Sequence, residues 1–203
     1  MLSSTGGRRA EYARATREAI LTAARALFIE KGYFGTRVED IARTARVAPA
    51  TVYAVGGGKN GLIRKLIEDG TTPEQQSAFD AGVAAINDPR ELIRMVVEGT
   101  GSAFATWSPL MRQVIAAAPL EPAVRESMEM AHAGLRRGLA RTAARLAELD
   151  ALPESMTADE ATDVLWFHLS NAAYFTLTDD LGWALPRATQ WLTRTLTAAL
   201  LAA

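Results

Sequence analysis

The residues able to do chemistry in this chain are few, and most are suited to contact rather than catalysis. Two histidines stand 36 positions apart, His132 and His168, and there is no cysteine. That is too sparse for a zinc site, which draws four ligands from closely spaced Cys and His, and no metal or other cofactor is expected. Gly56-Gly57-Gly58-Lys59 has the look of a phosphate loop, but Tyr53 stands where the first glycine belongs and Asn60 where Ser or Thr belongs. Its backbone amides and Lys59 fit a phosphate contact at a helix start better. Gly99-Thr100-Gly101-Ser102 lies inside a helical pattern and is not a nucleophile elbow. No pair of carboxylates is singled out by spacing, so no catalytic residue is assigned and an enzyme is not expected. The concentrated signal is Thr36, Arg37, Arg46, Pro49, Ala50, Thr51, Tyr53 and Lys59, all within one short stretch. Hydroxyls, guanidiniums, a phenol and small apolar groups in that density suit phosphates and base edges.

The elements that would position these residues are legible. Thr36 with Glu39 reads as a capping box. Val38, Ile41, Ala42 and Ala45 give an apolar stripe at helical spacing. The chain should turn at Arg46-Val47-Ala48, and Pro49 fits the first position of a second helix. That helix should end near Ala54, before the glycines, with Val47 and Val52 inward and Pro49, Ala50, Thr51 and Tyr53 free to face out. Two short helices across a tight turn form the unit that lays one helix in the major groove.

Charge is divided along the chain. Residues 1–65 hold 12 Lys/Arg and 5 Asp/Glu, a net +7; residues 66–203 hold 10 and 18, a net −8. A total of −1 therefore hides a basic head on an acidic remainder. A basic head is the electrostatic footprint of phosphate binding. Arg8, Arg9 and Arg14 read either as an arm that follows the minor groove or as a loose tail.

The stretch from about Thr16 to Leu66 resembles the DNA-binding domain of TetR (tetracycline-repressor-like) transcriptional regulators. The resemblance rests on Ile20, Ala23-Ala24, Leu27-Phe28, Lys31-Gly32-Tyr33, Thr36, Ile41-Ala42, Val47, Ala50-Thr51-Val52-Tyr53, Lys59 and Leu62, in that order and spacing. It covers the first third strongly and the rest loosely, through the helical pattern and a Gly182-Trp183 turn before a final helix. This chain has Arg46 where family members usually carry Gly, Ala48 where they carry Ser or Thr, and Gly56 where they carry an aromatic residue. The resemblance implies that Tyr53 and Lys59 clamp the DNA backbone, with Thr36 and Tyr33 near phosphates. Arg37 and Arg46 are the expected polar readers, because the outward face of 49–54 has no Arg, Lys, Asn or Gln. Pro49, Ala50 and the Thr51 methyl can touch thymine methyls.

Beyond residue 70 only helices are expected. Thr72-Pro73 with Gln75 opens one. Asp88-Pro89 with Glu91 opens another, to about Thr106. Ser108-Pro109 opens a short one, and Glu121-Pro122 a long one to about Leu149. Thr157 with Glu160 starts a helix to about Thr178, and Pro186 starts the last, to about Leu201. The fold class is all-α: an N-terminal three-helix, helix-turn-helix DNA-binding domain at 1–66, then a helical-bundle ligand-binding and dimerisation domain at 67–203. Residues 158–178 are apolar nearly all round, and Trp191, Leu192, Leu196, Ala199 and Leu200 form one stripe, so a homodimer through the last two helices is expected. Phe104, Trp107, Met111, Met128, Trp166, Asn171 and Phe175, with Met95, His132 and His168 nearby, could line an apolar pocket with polar anchors. No apolar run reaches the roughly 18–20 residues of a membrane span, and the first residues have no signal-peptide core. The expected partners are a double-stranded DNA operator, a second copy of the chain and a small-molecule effector, with no membrane, in the cytoplasm. The alternatives are a DNA-binding regulator without a small-molecule effector, and an all-helical carrier or enzyme with a vestigial head.

Overall fold

The computed structural model describes residues 4–70 and 72–202. Among these there is no strand. The helices are α1 (Ser4–Gly35), α2 (Val38–Ala45), α3 (Pro49–Gly56), α4 (Lys59–Asp69), α5 (Pro73–Ala85), α6 (Pro89–Ala117), α7 (Pro122–Glu148), α8 (Ala158–Leu169), α9 (Asn171–Phe175) and α10 (Leu185–Leu200), with a π-turn at Thr176–Asp180 between the last two. None is long and apolar enough to cross a membrane. By packing, residues 1–71 group with 109–129, and residues 72–108 group with 130–203.

The first unit is built on α1, which packs on α2 and α4. Ile20, Ala24, Phe28, Ile41, Val52, Leu62 and Ile63 are fully buried, so four helices share one apolar centre. That centre is what holds α2 and α3, eight residues each and too short to persist alone. Arg8, Arg9 and Arg14 are helical residues of α1.

The second unit has its own core. Leu92, Ile93, Val96 and Val97 of α6 meet Leu139, Ala143 and Leu146 of α7, Leu165 of α8 and the Ala188, Leu192, Leu196, Leu200 stripe of α10. Gly101 has Thr189 Cγ2 at 2.7 Å from where a Cβ would sit, so α6 and α10 approach closely because there is no side chain. Capping boxes form as expected at Thr72/Gln75 and Thr157/Glu160, and the Asp88 carboxylate accepts from the Arg90 amide at 2.9 Å.

Three local expectations are corrected. Thr36 and Glu39 do not form a capping box: the N-cap of α2 is Arg37, with no side-chain cap bond. α1 is broken at Gly32 (φ 74°, ψ 167°), and the Thr36 hydroxyl turns back to donate to the carbonyls of Gly32 (2.8 Å) and Leu27 (3.1 Å). A buried carbonyl beyond a helix break needs a donor, and Thr36 supplies it. Secondly, Ser108-Pro109 does not start a helix. α6 runs unbroken from Pro89 to Ala117 with Pro109 inside it. A proline inside a helix costs about 3 kcal/mol, through the lost backbone bond and the clash of its ring with the preceding turn, and burial of Leu110, Met111 and Val114 just beyond the proline offsets that cost. Thirdly, the helix from Ala158 stops at Leu169 rather than near Thr178. Ser170 adopts an extended conformation (ψ 158°) and its hydroxyl accepts from the Ala173 amide, restarting the chain as α9. Serine competes for backbone in this way and favours caps over helix interiors.

Candidate nucleic-acid interface

The turn between α2 and α3 is closed by Arg46 in the left-handed region (φ 56°, ψ 44°), its amide donating to the carbonyls of Ala42 and Arg43. α3 opens on Pro49 after Ala48, which has no capping oxygen, so its first-turn amides have no side-chain partner. Val52 is fully buried and Val47 partly buried. At about 100° per residue, Pro49, Ala50, Tyr53 and Ala54 fall on one arc, and all four are exposed; Tyr53 keeps 53% of its surface. Thr51 is half-buried at the edge of that arc. α3 runs to Gly56, two residues past the expected end, and this places Ala54 on the arc. Ala54, expected at the helix end, joins the outward-facing residues because the helix runs on past it.

The far end of α3 is fixed by close backbone approach. A Cβ on Gly61 would lie 1.6 Å from the Gly56 carbonyl oxygen, and a Cβ on Gly56 would lie 2.5 Å from Leu62 Cδ2. The ring that the family usually carries at position 56 is thus replaced by direct α3–α4 contact. Gly57 (φ 66°) and Gly58 (φ 99°) make the reversal into α4, with the Tyr53 ring lying against Gly58.

Lys59 is held from below. Its ammonium donates to the Tyr33 carbonyl at 2.8 Å and sits 4.3 Å over the Tyr33 ring. Burial lowers its pKa from the ordinary lysine value, with Glu121 opposing. An ammonium has three donors, so two remain beyond the carbonyl bond. Tyr33 is buried, stacks on Phe28 and donates its hydroxyl to the Asn60 side-chain oxygen. Burial, helped by the Glu121 charge, pushes its phenol up to about 12.

The expected contact residues therefore separate. Arg37, Arg46, Pro49, Ala50 and Tyr53 are exposed around α3 and the preceding turn, and Thr51 and Lys59 are half-buried beside them. Thr36, at 1% exposure with its hydroxyl committed to two carbonyls, is a structural lock and presents no side chain to DNA. Tyr33 is likewise internal. Among the head's other cations, Arg14 pairs with Glu18, Arg17 with Asp69, Arg43 with Asp40, and Arg64 with Glu68 and Glu126. Arg37 and Arg46 have no such partner among the described residues.

The expected ligand residues are divided between the two units. Met111 and Met128 belong to the first unit; Phe104, Trp107, Trp166, Asn171 and Phe175 belong to the second. Phe104 stacks on Tyr174 (4.9 Å between centroids) and meets Phe175 edge-on (5.1 Å), while Trp166 lies against His132 (5.3 Å). Two surface hollows of about 400 and 570 Å³ lie where α6 begins and α10 ends, lined by Asp88, Arg90, Glu91, Arg94, Thr193 and Thr197 and by Arg90, Arg194, Ala198 and Leu201. Neither contains an expected ligand residue.

Residues 20–66 match the family model described as bacterial regulatory proteins, tetR family. The chain carries a TetR-family helix-turn-helix head. No curated protein matches it in sequence. Solved structures of regulators match nearly its whole length. NalD of Pseudomonas aeruginosa, described as the secondary repressor of the MexAB-OprM multidrug efflux pump, is 25% identical with a TM-score of 0.69, over 94% of this chain and 98% of that one. A Syntrophomonas wolfei protein described as a TetR-family transcriptional regulator is 19% identical with a TM-score of 0.74, over 93% and 97%. The regulator FadR of Bacillus subtilis, solved with stearoyl-CoA, is 17% identical with a TM-score of 0.71, over 90% and 98%. Over about nine-tenths of its length the chain shares the all-helical fold of these solved regulators.

Proposed function

We propose that this chain is a cytoplasmic, sequence-specific transcriptional repressor. It acts as a homodimer on a near-palindromic DNA operator and is released by a small, largely apolar ligand. In this reading 1–66 is the DNA-binding domain and 67–203 the effector-binding and dimerisation domain. The observation that carries it is the exposed α3 arc flanked by Arg37 and Arg46, two guanidiniums that no carboxylate of the described chain engages. Lys59 beside the arc, and Tyr53 on it with its ring turned against Gly58, serve as phosphate contacts. Two heads in successive major grooves would set half-sites about 34–36 Å apart. Repression is supported by the likeness to NalD, and an apolar ligand by the likeness to FadR. The ligand must prefer the state that does not bind DNA, since equal affinity for both states shifts nothing. α4 is the coupling element in this reading, because it is the last helix of the head in chain order.

The test is selection of bound fragments from sheared source DNA by the purified protein at two salt concentrations. The expected result is one near-palindromic site whose affinity falls with a log–log salt slope on the order of −6 to −10. No enrichment at either concentration overturns the reading. Arg37→Ala should weaken the selected site more than unrelated DNA; equal loss on both makes Arg37 a phosphate contact.

A second reading, a regulator with no small-molecule effector, is favoured by one observation: Phe104 is already filled against by Tyr174 and Phe175. It predicts that fatty acyl-CoAs and hydrophobic drugs leave operator affinity unchanged.

A further inference from the structure

Resting on the operator-binding reading, we propose that the bases beneath α3 are thymines recognised by their C5 methyl groups, and that hydrogen-bond readout is confined to the edges of the half-site. The exposed arc of α3 consists of Pro49, Ala50, Tyr53 and Ala54. Pro49, Ala50 and Ala54 carry no side-chain donor or acceptor. In the major groove guanine, cytosine and adenine are distinguished by hydrogen-bonding groups, whereas thymine alone adds an apolar handle, its methyl. The Pro49, Ala50 and Ala54 carbons can discriminate only that handle, and the Tyr53 ring, turned against Gly58 at the helix end, is assigned to the phosphates.

The geometry around the arc favours close approach. Pro49, Ala50 and Ala54 project little and the Tyr53 ring lies back against Gly58, so the N-terminal part of α3 can come near the groove floor, where a methyl meets a methyl in van der Waals contact. A helix bearing long polar side chains would be held further off. The backbone contact between Gly56 and Gly61 fixes the C-terminal end of α3, and the Thr36 hydroxyl pins the chain ahead of α2. The arc is therefore presented rigidly, as readout by shape requires. Thr51, half-buried at the edge of the arc, adds one more methyl. The exposed guanidiniums stand outside the arc: Arg37 at the start of α2 and Arg46 in the turn. Guanine contacts, which suit arginine, belong on the flanks of the thymine steps.

The experiment replaces thymine by deoxyuridine within the half-sites of the selected operator. This removes the methyls and keeps every Watson–Crick and groove hydrogen-bonding group. Each buried methyl is expected to be worth about fourfold in affinity, so two per half-site across a dimer give a loss on the order of 10²-fold. The same replacement outside the half-sites should change affinity by less than about twofold. A 5-methylcytosine at one of these steps, which restores the methyl on another base, should bind better than cytosine there. Ala50→Asn, which installs an adenine reader, should shift the selected site and shrink the deoxyuridine penalty, with circular dichroism confirming that the variant folds. Indifference to deoxyuridine within the half-sites, or equal loss when it lies outside them, overturns the inference while leaving operator binding intact. Failure to recover any site is a failure of the operator-binding reading itself, and the two results are separable.

Discussion

Arg46 shows how one residue can serve recognition at a cost to stability. Its left-handed conformation (φ 56°, ψ 44°) is one that glycine adopts freely and an L-residue does not. Arg46→Gly is expected to stabilise the protein by about 1 kcal/mol, a rise of roughly 2–4 °C in melting temperature for a chain of this size. It should also lower the ratio of specific to nonspecific DNA affinity. A variant that is more stable and equally specific would remove Arg46 from the readers. Tyr33 acts in the opposite sense, as internal scaffold. Its phenol ionises at about 12 in the fold, against about 10 for an ordinary tyrosine. The unfolded chain therefore loses this proton first, and stability should fall as pH rises from about 10 to about 12. Lys59, lowered from the ordinary lysine value, has the opposite slope, adding stability as pH climbs toward about 10.5. Tyr33→Phe removes the first effect and leaves the second. Denaturant midpoints at pH 9, 10 and 11 should fall less in the variant than in the parent.

Elements were legible where one residue type had one use. Thr72 with Gln75 and Thr157 with Glu160 cap helices as their spacing implies, and the proline-led starts of α3, α6 and α7 lie where the sequence puts them. Legibility failed where tertiary structure offered a residue a second use. Thr36 has the spacing of a cap, but a break at Gly32 diverts its hydroxyl to carbonyls nine and four residues back. Pro109 reads as a boundary, yet burial on its far side carries α6 through it. Ser170 was hidden in an apolar run and ends α8. The reading helix itself was legible, apart from Ala54; its seating on α4 was not, because close approach is a property of two segments and no single residue announces it. Gly56 and Gly61 make that seating testable. Gly61→Ala would place a carbon 1.6 Å from a backbone oxygen, which only a shift of α3 can relieve. The expected cost is about 3 kcal/mol, with loss of operator binding. Gly57→Ala, whose Cβ meets nothing within 4 Å, should cost only the left-handed penalty of about 1 kcal/mol. Equal losses from the two variants would show that conformation, rather than contact, is what these glycines provide.

At the scale of the whole molecule, the proposed reading of a near-palindrome calls for two copies of the basic head, and the second unit exposes large apolar side chains. Phe167 is 74% exposed and Leu181 55%. Phe167 lies 5.2 Å from the His168 ring, His168 faces Trp191, Trp191 meets Trp183 at 5.8 Å, and Arg187 caps Trp183 at 4.2 Å. Exposed and half-exposed rings of this chemistry, on α8, on α10 and in the turn before α10, are what a two-fold partner would cover in the proposed dimer. In a two-fold pair every residue appears twice, so one substitution alters two places in the interface. Phe167→Glu should therefore dissociate the dimer without unfolding either copy, because Phe167 contributes little to the core of its own chain. Sedimentation should show a species of about 22 kDa in place of one twice that mass. Fewer phosphates are neutralised by one head than by two, so the salt slope on operator DNA should fall to about half. If the parent sediments as a monomer and Phe167→Glu changes neither mass nor slope, the exposed ring is ordinary surface, and a single head must read its site alone.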